Sequence, residues 1–132
     1  MEMAQLISRR SYDPRHQVGA VVVTSDNTQV LSLGYNGNYK GGPNEVESEV
    51  PGDSGMLHAE INALLKLDYN NPKQKTLYVT LSPCRMCAKA IVNSRIDEVV
   101  YDREYRDTSG LEILRNAGVT VRSGSKDRDI VR

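Results

Sequence analysis

The chain has 132 residues, and its 17 Lys and Arg balance its 17 Asp and Glu, so its formal net charge at pH 7 is zero. With 39% hydrophobic and 26% charged residues it has a globular composition, which excludes wholesale disorder and a charged nucleic-acid tail and predicts one domain over residues 1–132. No apolar run approaches the roughly 20 residues that a membrane span needs, so we expect no membrane partner. The first residues lack a signal-peptide pattern, so we expect the protein to be cytoplasmic, or to lie in the host cytoplasm if it is viral.

The first half of the chain predicts a helix, a β-hairpin and a second helix. Two β-branched runs flank an Asp-Asn turn, which is typical of a hairpin. Apolar residues at helical spacing then follow a stretch rich in Gly, Asn and Pro. The predicted elements are a helix that ends within Leu6–Arg10, strands Val18–Val23 and Gln29–Leu33, a long loop over 34–55, and a helix from Met56 to the Asn70-Asn71-Pro72 breaker.

The second half alternates strands with helices. Ser82 and Pro83 are a strong helix-start signal, with Ser82 as the N-cap and Pro83 in the first helical position. The predicted elements are strand Thr76–Leu81, a helix from Ser82 to about Ser94, strand Glu98–Tyr101, helix Gly110–Asn116, strand Val119–Val121 and a polar tail from Ser123 to Arg132. This order predicts an α/β fold in which helices flank a central sheet on both faces.

The two cysteines carry the first chemical signal. Cys84 and Cys87 are three residues apart at a predicted helix start, so both thiols share one face and lie near unpaired N–H groups that favour thiolates. In a chain without an export signal this spacing indicates metal binding or redox chemistry before a structural disulfide. His58, at the start of the preceding predicted helix, would add an imidazole. Zinc would then have three protein ligands and a fourth position for water, which is the arrangement of a catalytic site.

Glu60 lies two residues after His58 and is better placed to carry a proton than to bind the metal ion. Zinc with two thiolates is nearly charge-neutral and acidifies water less than a three-histidine site, so a neighbouring carboxylate that takes the proton is useful. The combination H-x-E followed by P-C-x-x-C is the signature of zinc-dependent nucleobase deaminases.

Two simpler interpretations of the cysteines stay open at this stage. One is a structural zinc closed by His58 and the only other histidine, His16; the second is a redox dithiol. Neither explains Glu60, so a catalytic zinc is the preferred hypothesis.

The chain resembles the cytidine/deoxycytidylate deaminase superfamily, and within it the deoxycytidylate deaminases, over nearly its whole length. The Gly-Tyr-Asn-Gly loop and Asn62 in the His-Ala-Glu helix point to the nucleotide branch. The resemblance implies a three-layer α/β/α sandwich with a central five-stranded mixed sheet. The matching stretches are Gln17–Val23, Gly34–Gly37, His58–Ala63, Thr80–Cys84 and Arg115–Val119.

The resemblance implies deamination of dCMP to dUMP and ammonia, which supplies the precursor of dTMP. Glu60 would take a proton from the water at the zinc and return protons to N3 and the departing amino group. The backbone N–H of Ala59 would meet the base carbonyl, the carbonyl of Ser82 would face the amino group, Asn36 would hold the sugar or base, and Tyr105 would stack on the pyrimidine. Candidates for the phosphate or an effector are Arg15, Lys40, Arg103 and Arg106.

The resemblance also implies a homo-oligomer, with a hexamer favoured over a dimer or tetramer, activated by dCTP and inhibited by dTTP. Residues 40–55 depart from the commoner pattern of the family, and the chain has no further cysteine for a second, structural zinc. The acidic stretch Glu45–Glu49 is most simply a solvated loop; its second possible role is to lie near a Mg²⁺-bound triphosphate effector.

Rival functions differ in charge and chemistry. A tRNA adenosine deaminase, which Met86-Cys87-Ala88 and Ser94-Arg95-Ile96 also resemble, should carry net positive charge, because phosphate contacts dominate tRNA binding. This chain is neutral and its C-terminal tail has mixed charges, so we expect no stable nucleic-acid partner. A deaminase acting on dCTP or another cytosine nucleotide is a third candidate. A fourth is a zinc-binding or nucleotide-sensing module without activity, which the intact Glu60 argues against.

Overall fold

The computed structural model describes residues 1–13, 15–43 and 55–124. Within these ranges the helices and strands follow the predicted order. They are α1 (Glu2–Ser8), β1 (Gly19–Thr24), β2 (Val30–Tyr35), α2 (Ala59–Leu64), β3 (Lys75–Leu81), α3 (Arg85–Asn93), β4 (Glu98–Arg103), α4 (Ser109–Asn116) and β5 (Thr120–Ser123).

The strands form one mixed sheet in the order β2-β1-β3-β4-β5. β1 pairs antiparallel with both β2 and β3, while β3, β4 and β5 run parallel to one another. Helices α3 and α4 supply the crossovers between the parallel strands, as parallel pairing requires. The predicted five-stranded mixed sheet is therefore confirmed.

Helices cover both faces of the sheet. On one face α2, α3 and α4 enclose the larger core, whose members include Val22, Leu77, Ile91 and Leu114. On the opposite face α1 covers a smaller cluster around Ala4, Val21 and Val23. Alternate β1 residues thus point into different cores, and all six are buried because β1 lies in the middle of this three-layer arrangement.

Several element boundaries differ from the sequence prediction by one to six residues, most clearly those of α3, α2 and β2. Helix α3 begins at Arg85 with Cys84 as its N-cap, so the prediction that Ser82 caps it is wrong: the sulfur of Cys84 accepts the N–H of Cys87 at 3.5 Å. Helix α2 ends at Leu64, before the predicted Asn70, because the chain tightens into hydrogen bonds to the third preceding residue. Strand β2 extends through Tyr35 and so includes the start of the predicted loop.

Two predicted segments fall partly outside the described residues. These are residues 44–54, which are half of the long loop and include the acidic stretch Glu45–Glu49, and residues 125–132 of the polar tail. Of the loop, the structure shows that Gly37 and Leu57 exchange two backbone hydrogen bonds of 3.0 Å, which join its two ends. Among the described helices, none has the length and apolar character to cross a bilayer.

Two glycines allow the start of α2 and the start of α3 to pack closely against their neighbours. A Cβ at Gly34 would lie 2.6 Å from the carbonyl oxygen of Ala59, and a Cβ at Gly110 would lie 2.1 Å from that of Pro83. Real Cβ atoms essentially never come that close, so any larger residue would push the backbone of each segment away. These close approaches fix the start of α2 against strand β2 and the residues that lead into α3 against helix α4.

Candidate metal centre and active site

His58, Cys84 and Cys87 meet where α2 and α3 begin. The Nδ1 atom of His58 lies 3.3 Å from the sulfur of Cys87 and 3.5 Å from the sulfur of Cys84. The three potential ligand atoms all lie within 4.8 Å of one another. His58 precedes α2 as its N-cap, and the two cysteines occupy the N-cap and third residue of α3. The starts of α2 and α3 therefore bring together the three residues that the sequence motifs predict as metal ligands.

The distances in this cluster fit a zinc ion. With zinc–sulfur bonds of about 2.3 Å and zinc–nitrogen bonds of about 2.0–2.1 Å, tetrahedral geometry places nitrogen and sulfur about 3.6 Å apart. The observed 3.3 and 3.5 Å agree with that separation. One imidazole and two thiols are also the ligand types that zinc prefers. Among the described residues this is the one cluster of its kind, and His16, which a structural zinc would require, does not belong to it.

The two thiols differ in acidity. A hydrogen bond from Cys87 lowers the pKa of Cys84 to about 4, with further help from His58. The same bond to Cys84, followed by burial, raises the pKa of Cys87 well above its ordinary value. Zinc binds cysteines as thiolates, so metal binding at this pair releases protons and is favoured as the pH rises.

Glu60 lies beside the cluster in the first turn of α2. Its side chain is 4% exposed, and burial raises the pKa of its carboxyl group to about 7. The Cys87 thiol and the Glu60 carboxyl group are close enough to shift the pKa of one another. A carboxyl group with a pKa near neutrality can both accept and return a proton, which is what general acid–base catalysis needs.

Asn36 lies in the loop that follows β2 and is 3% exposed. Its Oδ1 accepts the N–H of Val18 at 2.9 Å, and its Nδ2 donates to the carbonyl of His16. Both ends of the amide thus already hold the segment before β1, although each keeps capacity for one more hydrogen bond. No local sequence pattern indicates this backbone role, because Val18 and His16 lie 18 and 20 residues before Asn36.

Ser82 and Tyr105 are linked by hydrogen bonds. The hydroxyl of Ser82 accepts the N–H of Tyr105 at 2.6 Å, and the N–H of Ser82 donates to the carbonyl of Arg103 at 2.8 Å. The segment after β4 is thereby tied to the residues that lead into the metal-binding helix. Tyr105 is half-buried, and the guanidinium of Arg106 lies 5.9 Å from the centre of its ring, within cation–π range.

The remaining predicted site residues differ in burial. Ala59 is completely buried as the first residue of α2. All four candidate cations for a phosphate or effector are exposed: Arg15, Lys40, Arg103 and Arg106. Of these four, Arg106 is the one whose guanidinium lies against an aromatic ring of the predicted site, within the part of the chain that the structure describes.

The model of the cytidine and deoxycytidylate deaminase zinc-binding region matches residues 1–103. The chain belongs to this deaminase family. The match includes His58, Glu60 and both cysteines, so the family's zinc-binding region coincides with the cluster seen in the structure. The predicted family resemblance is confirmed, as is the assignment to the hydrolytic deaminases.

Relatives of this deaminase include enzymes named for deoxycytidylate. A deoxycytidylate deaminase of Homo sapiens is 34% identical over 138 residues, covering 92% of this chain and 75% of the relative. One from Saccharomyces cerevisiae is 38% identical over 137 residues, covering 95% of this chain and 43% of the relative. A crystal structure of the dCMP deaminase of cyanophage S-TIM5 with dCMP and dUMP is 35% identical, with a TM-score of 0.78, covering 92% of this chain and 91% of that one. This likeness confirms the predicted three-layer fold.

The structure gives a role to Asn62, which stood out in the sequence only as part of the family resemblance. Its Nδ2 faces three backbone carbonyls, those of Tyr35, Gly37 and Leu57. Two of these carbonyls lie more than 20 residues away in sequence, so no local pattern could reveal the contact.

Proposed function

We propose that this deaminase hydrolyses dCMP to dUMP and ammonia. The observation that carries the chemistry is the cluster of one imidazole and two thiols with the buried carboxyl group of Glu60 two residues after the imidazole, in the first turn of α2. A fourth tetrahedral position not taken by these three ligands would admit water, as catalytic zinc sites do. The substrate is proposed from the similarity to relatives named for deoxycytidylate and from the cyanophage enzyme solved with dCMP and dUMP.

His58, Cys84 and Cys87 would hold the zinc ion. When bound there, zinc supplies a Lewis acid that lowers the pKa of a water molecule and so provides a nucleophile at neutral pH. The N–H of Cys87 donates to the sulfur of Cys84, which stabilises negative charge on that ligand.

Glu60 would move the protons of the reaction. Its carboxylate accepts one proton from the attacking water and delivers it to N3 of cytosine, then accepts the second from the hydroxyl group left on C4 and delivers it to the amino group. The C4–N bond then breaks, ammonia leaves, and the oxygen from water becomes the carbonyl oxygen of dUMP. Burial raises the pKa of Glu60 towards neutrality, which suits a group that serves first as base and then as acid.

The remaining site residues would bind the nucleotide. The N–H of Ala59 would donate to the base carbonyl, the carbonyl of Ser82 would accept from the amino group, and Asn36 would use its spare hydrogen-bonding capacity on the sugar or base. Tyr105 would stack on the pyrimidine, which is consistent with its half-buried ring and its tether to Ser82. For the phosphate, Arg106 is preferred over Arg15, Lys40 and Arg103, because it lies against Tyr105.

The domain organisation, the oligomeric state and the regulation of the enzyme are proposed from the family resemblance. Residues 1–132 would form a single deaminase domain that assembles into a homo-oligomer, with a hexamer favoured, and acts in the cytoplasm of a cell or viral host. Activation by dCTP and inhibition by dTTP would be retained, and Mg²⁺ would enter only with such a triphosphate.

The substrate assignment is tested by following ammonia release from a panel of compounds. Purified, zinc-loaded protein is incubated with dCMP, dCTP, deoxycytidine and an RNA anticodon stem-loop, each with and without added dCTP as effector. We expect release from dCMP at a kcat/KM roughly 10- to 100-fold above that for deoxycytidine, because deoxycytidine has no phosphate and a charge-assisted hydrogen bond to that group is worth roughly 1.5–3 kcal/mol.

The outcomes separate the candidate functions. Faster turnover of dCTP than of dCMP would show that the substrate is the triphosphate. Formation of inosine in the RNA would favour a tRNA deaminase. No release from dCMP, with or without dCTP, would contradict the proposed substrate. No release from any compound by protein with one zinc per chain would favour a module without activity.

A further inference from the structure

The side chain of Asn62 forms a junction between two parts of the site. Its Nδ2 donates to the carbonyl of Tyr35 at 2.9 Å, and it faces the carbonyls of Gly37 at 3.3 Å and Leu57 at 3.4 Å. A side-chain amide has two N–H donors, so three converging carbonyls saturate it. The surrounding backbone therefore determines the orientation of this amide.

The three carbonyls flank functional residues. Tyr35 and Gly37 stand on either side of Asn36, and Leu57 directly precedes the metal ligand His58. Gly37 and Leu57 are themselves joined by two backbone hydrogen bonds of 3.0 Å. Asn62 thus holds the loop that carries Asn36 against the start of the helix that carries Glu60.

The contacts of the Asn36 side chain do not by themselves set its position relative to α2. Its own amide is engaged with His16 and Val18, which belong to the segment before β1 and not to α2. The hydrogen bonds of Asn62 relate Asn36 to the zinc ligands, because Asn62 lies four residues after His58, one helical turn along α2. This link and the two Gly37–Leu57 backbone hydrogen bonds together set the distance from Asn36 to the metal cluster.

We propose that Asn62 is a positioning residue that holds Asn36 at the correct distance from the metal cluster for the nucleotide to bind both. The inference rests on the proposed function, since it needs Asn36 to contact the sugar or base. Asn62 itself need not touch the substrate. Its effect should therefore appear in substrate binding and should disappear once Asn36 is removed.

The test uses Asn62→Asp, which keeps the shape of the side chain but replaces the N–H donors with an oxygen that repels the three carbonyls. We expect kcat/KM for dCMP to fall roughly 10- to 100-fold, because a displacement of about 1 Å in a site costs up to that much. Most of the loss should appear as a higher KM, with zinc content unchanged. Asn62→Ala, which adds no charge and favours the helix, should give a loss in the same direction. Asn70→Asp adds the same charge at an exposed position and should leave KM unaltered.

A double-mutant cycle with Asn36→Ala separates this inference from the proposed function. We expect Asn36→Ala to raise KM and Asn62→Asp to have little further effect in that background. If Asn36→Ala leaves KM at the wild-type value, the assignment of Asn36 in the proposed function fails. If Asn36→Ala raises KM and Asn62→Asp multiplies the loss, the positioning role of Asn62 is overturned. It is also overturned if both Asn62 variants keep the wild-type KM, or if both lose zinc or fail to fold.

Discussion

Replacing Glu60 with Gln should abolish ammonia release from dCMP while zinc content stays at that of the wild type. The amide has nearly the shape of the carboxyl group but cannot carry the proton from water to the base, so we expect kcat to fall by about 10²–10⁴-fold, the usual contribution of general acid–base catalysis. Ammonia release and metal analysis on the same preparation check the result.

The control for this variant is Glu112→Gln, because Glu112 is exposed in the first turn of α4. It removes the same charge away from the cluster and should retain full turnover. Since Glu60 is buried and no metal ligand, its loss of charge need not weaken zinc binding. Turnover that survives in Glu60→Gln would contradict the proposed role of the carboxylate.

Replacing Cys87 with Ser should remove both zinc and activity. Cys87 is 1% exposed and its sulfur lies 3.3 Å from Nδ1 of His58, whereas a serine hydroxyl stays protonated and is a poor zinc ligand. Removal of a residue that only hydrogen-bonds to a metal ligand already weakens metal binding by about 10–100-fold. Removal of a ligand should therefore weaken zinc binding by more than this. Zinc per chain after dialysis against a weak chelator measures the effect.

The matched control is Met86→Ser on the same helical turn. Met86 is 71% exposed and is not part of the cluster, so this variant should keep its zinc. Retention of wild-type zinc affinity in Cys87→Ser would mean that this thiol is not a ligand. Loss of zinc in Met86→Ser would indicate that the turn, and not the sulfur, is responsible.

The two cysteine ligands could be predicted because local geometry sets their spacing, and His58 because it belongs to the H-x-E motif. Cys84 and Cys87 are three residues apart, and a helical turn brings such positions to one face. The parallel strands β3 and β4 and the helix between them were also visible as alternating β-branched and amphipathic runs. These features depend on neighbours in sequence, which a pattern records.

The features that the sequence did not reveal depend on distant partners. Ser82 and Pro83 predict a helix start, but the hydroxyl of Ser82 bonds to Tyr105, 23 residues later, and Cys84 caps α3 instead. The hydrogen bonds of Asn62 with the loop after β2 are equally remote. At Ser82, a tertiary hydrogen bond overrides the local preference for capping a helix. At Asn62, tertiary hydrogen bonds join segments that no short sequence pattern connects.

X-ray absorption at the zinc edge of the zinc-loaded protein tests the central claim most directly. Three protein ligands and one open position predict two sulfur atoms at about 2.3 Å and two lighter atoms at about 2.0–2.1 Å from zinc, of which one is an imidazole nitrogen and the second the oxygen of water. Two imidazoles, fewer than two sulfurs, or a fourth ligand from the protein would contradict it.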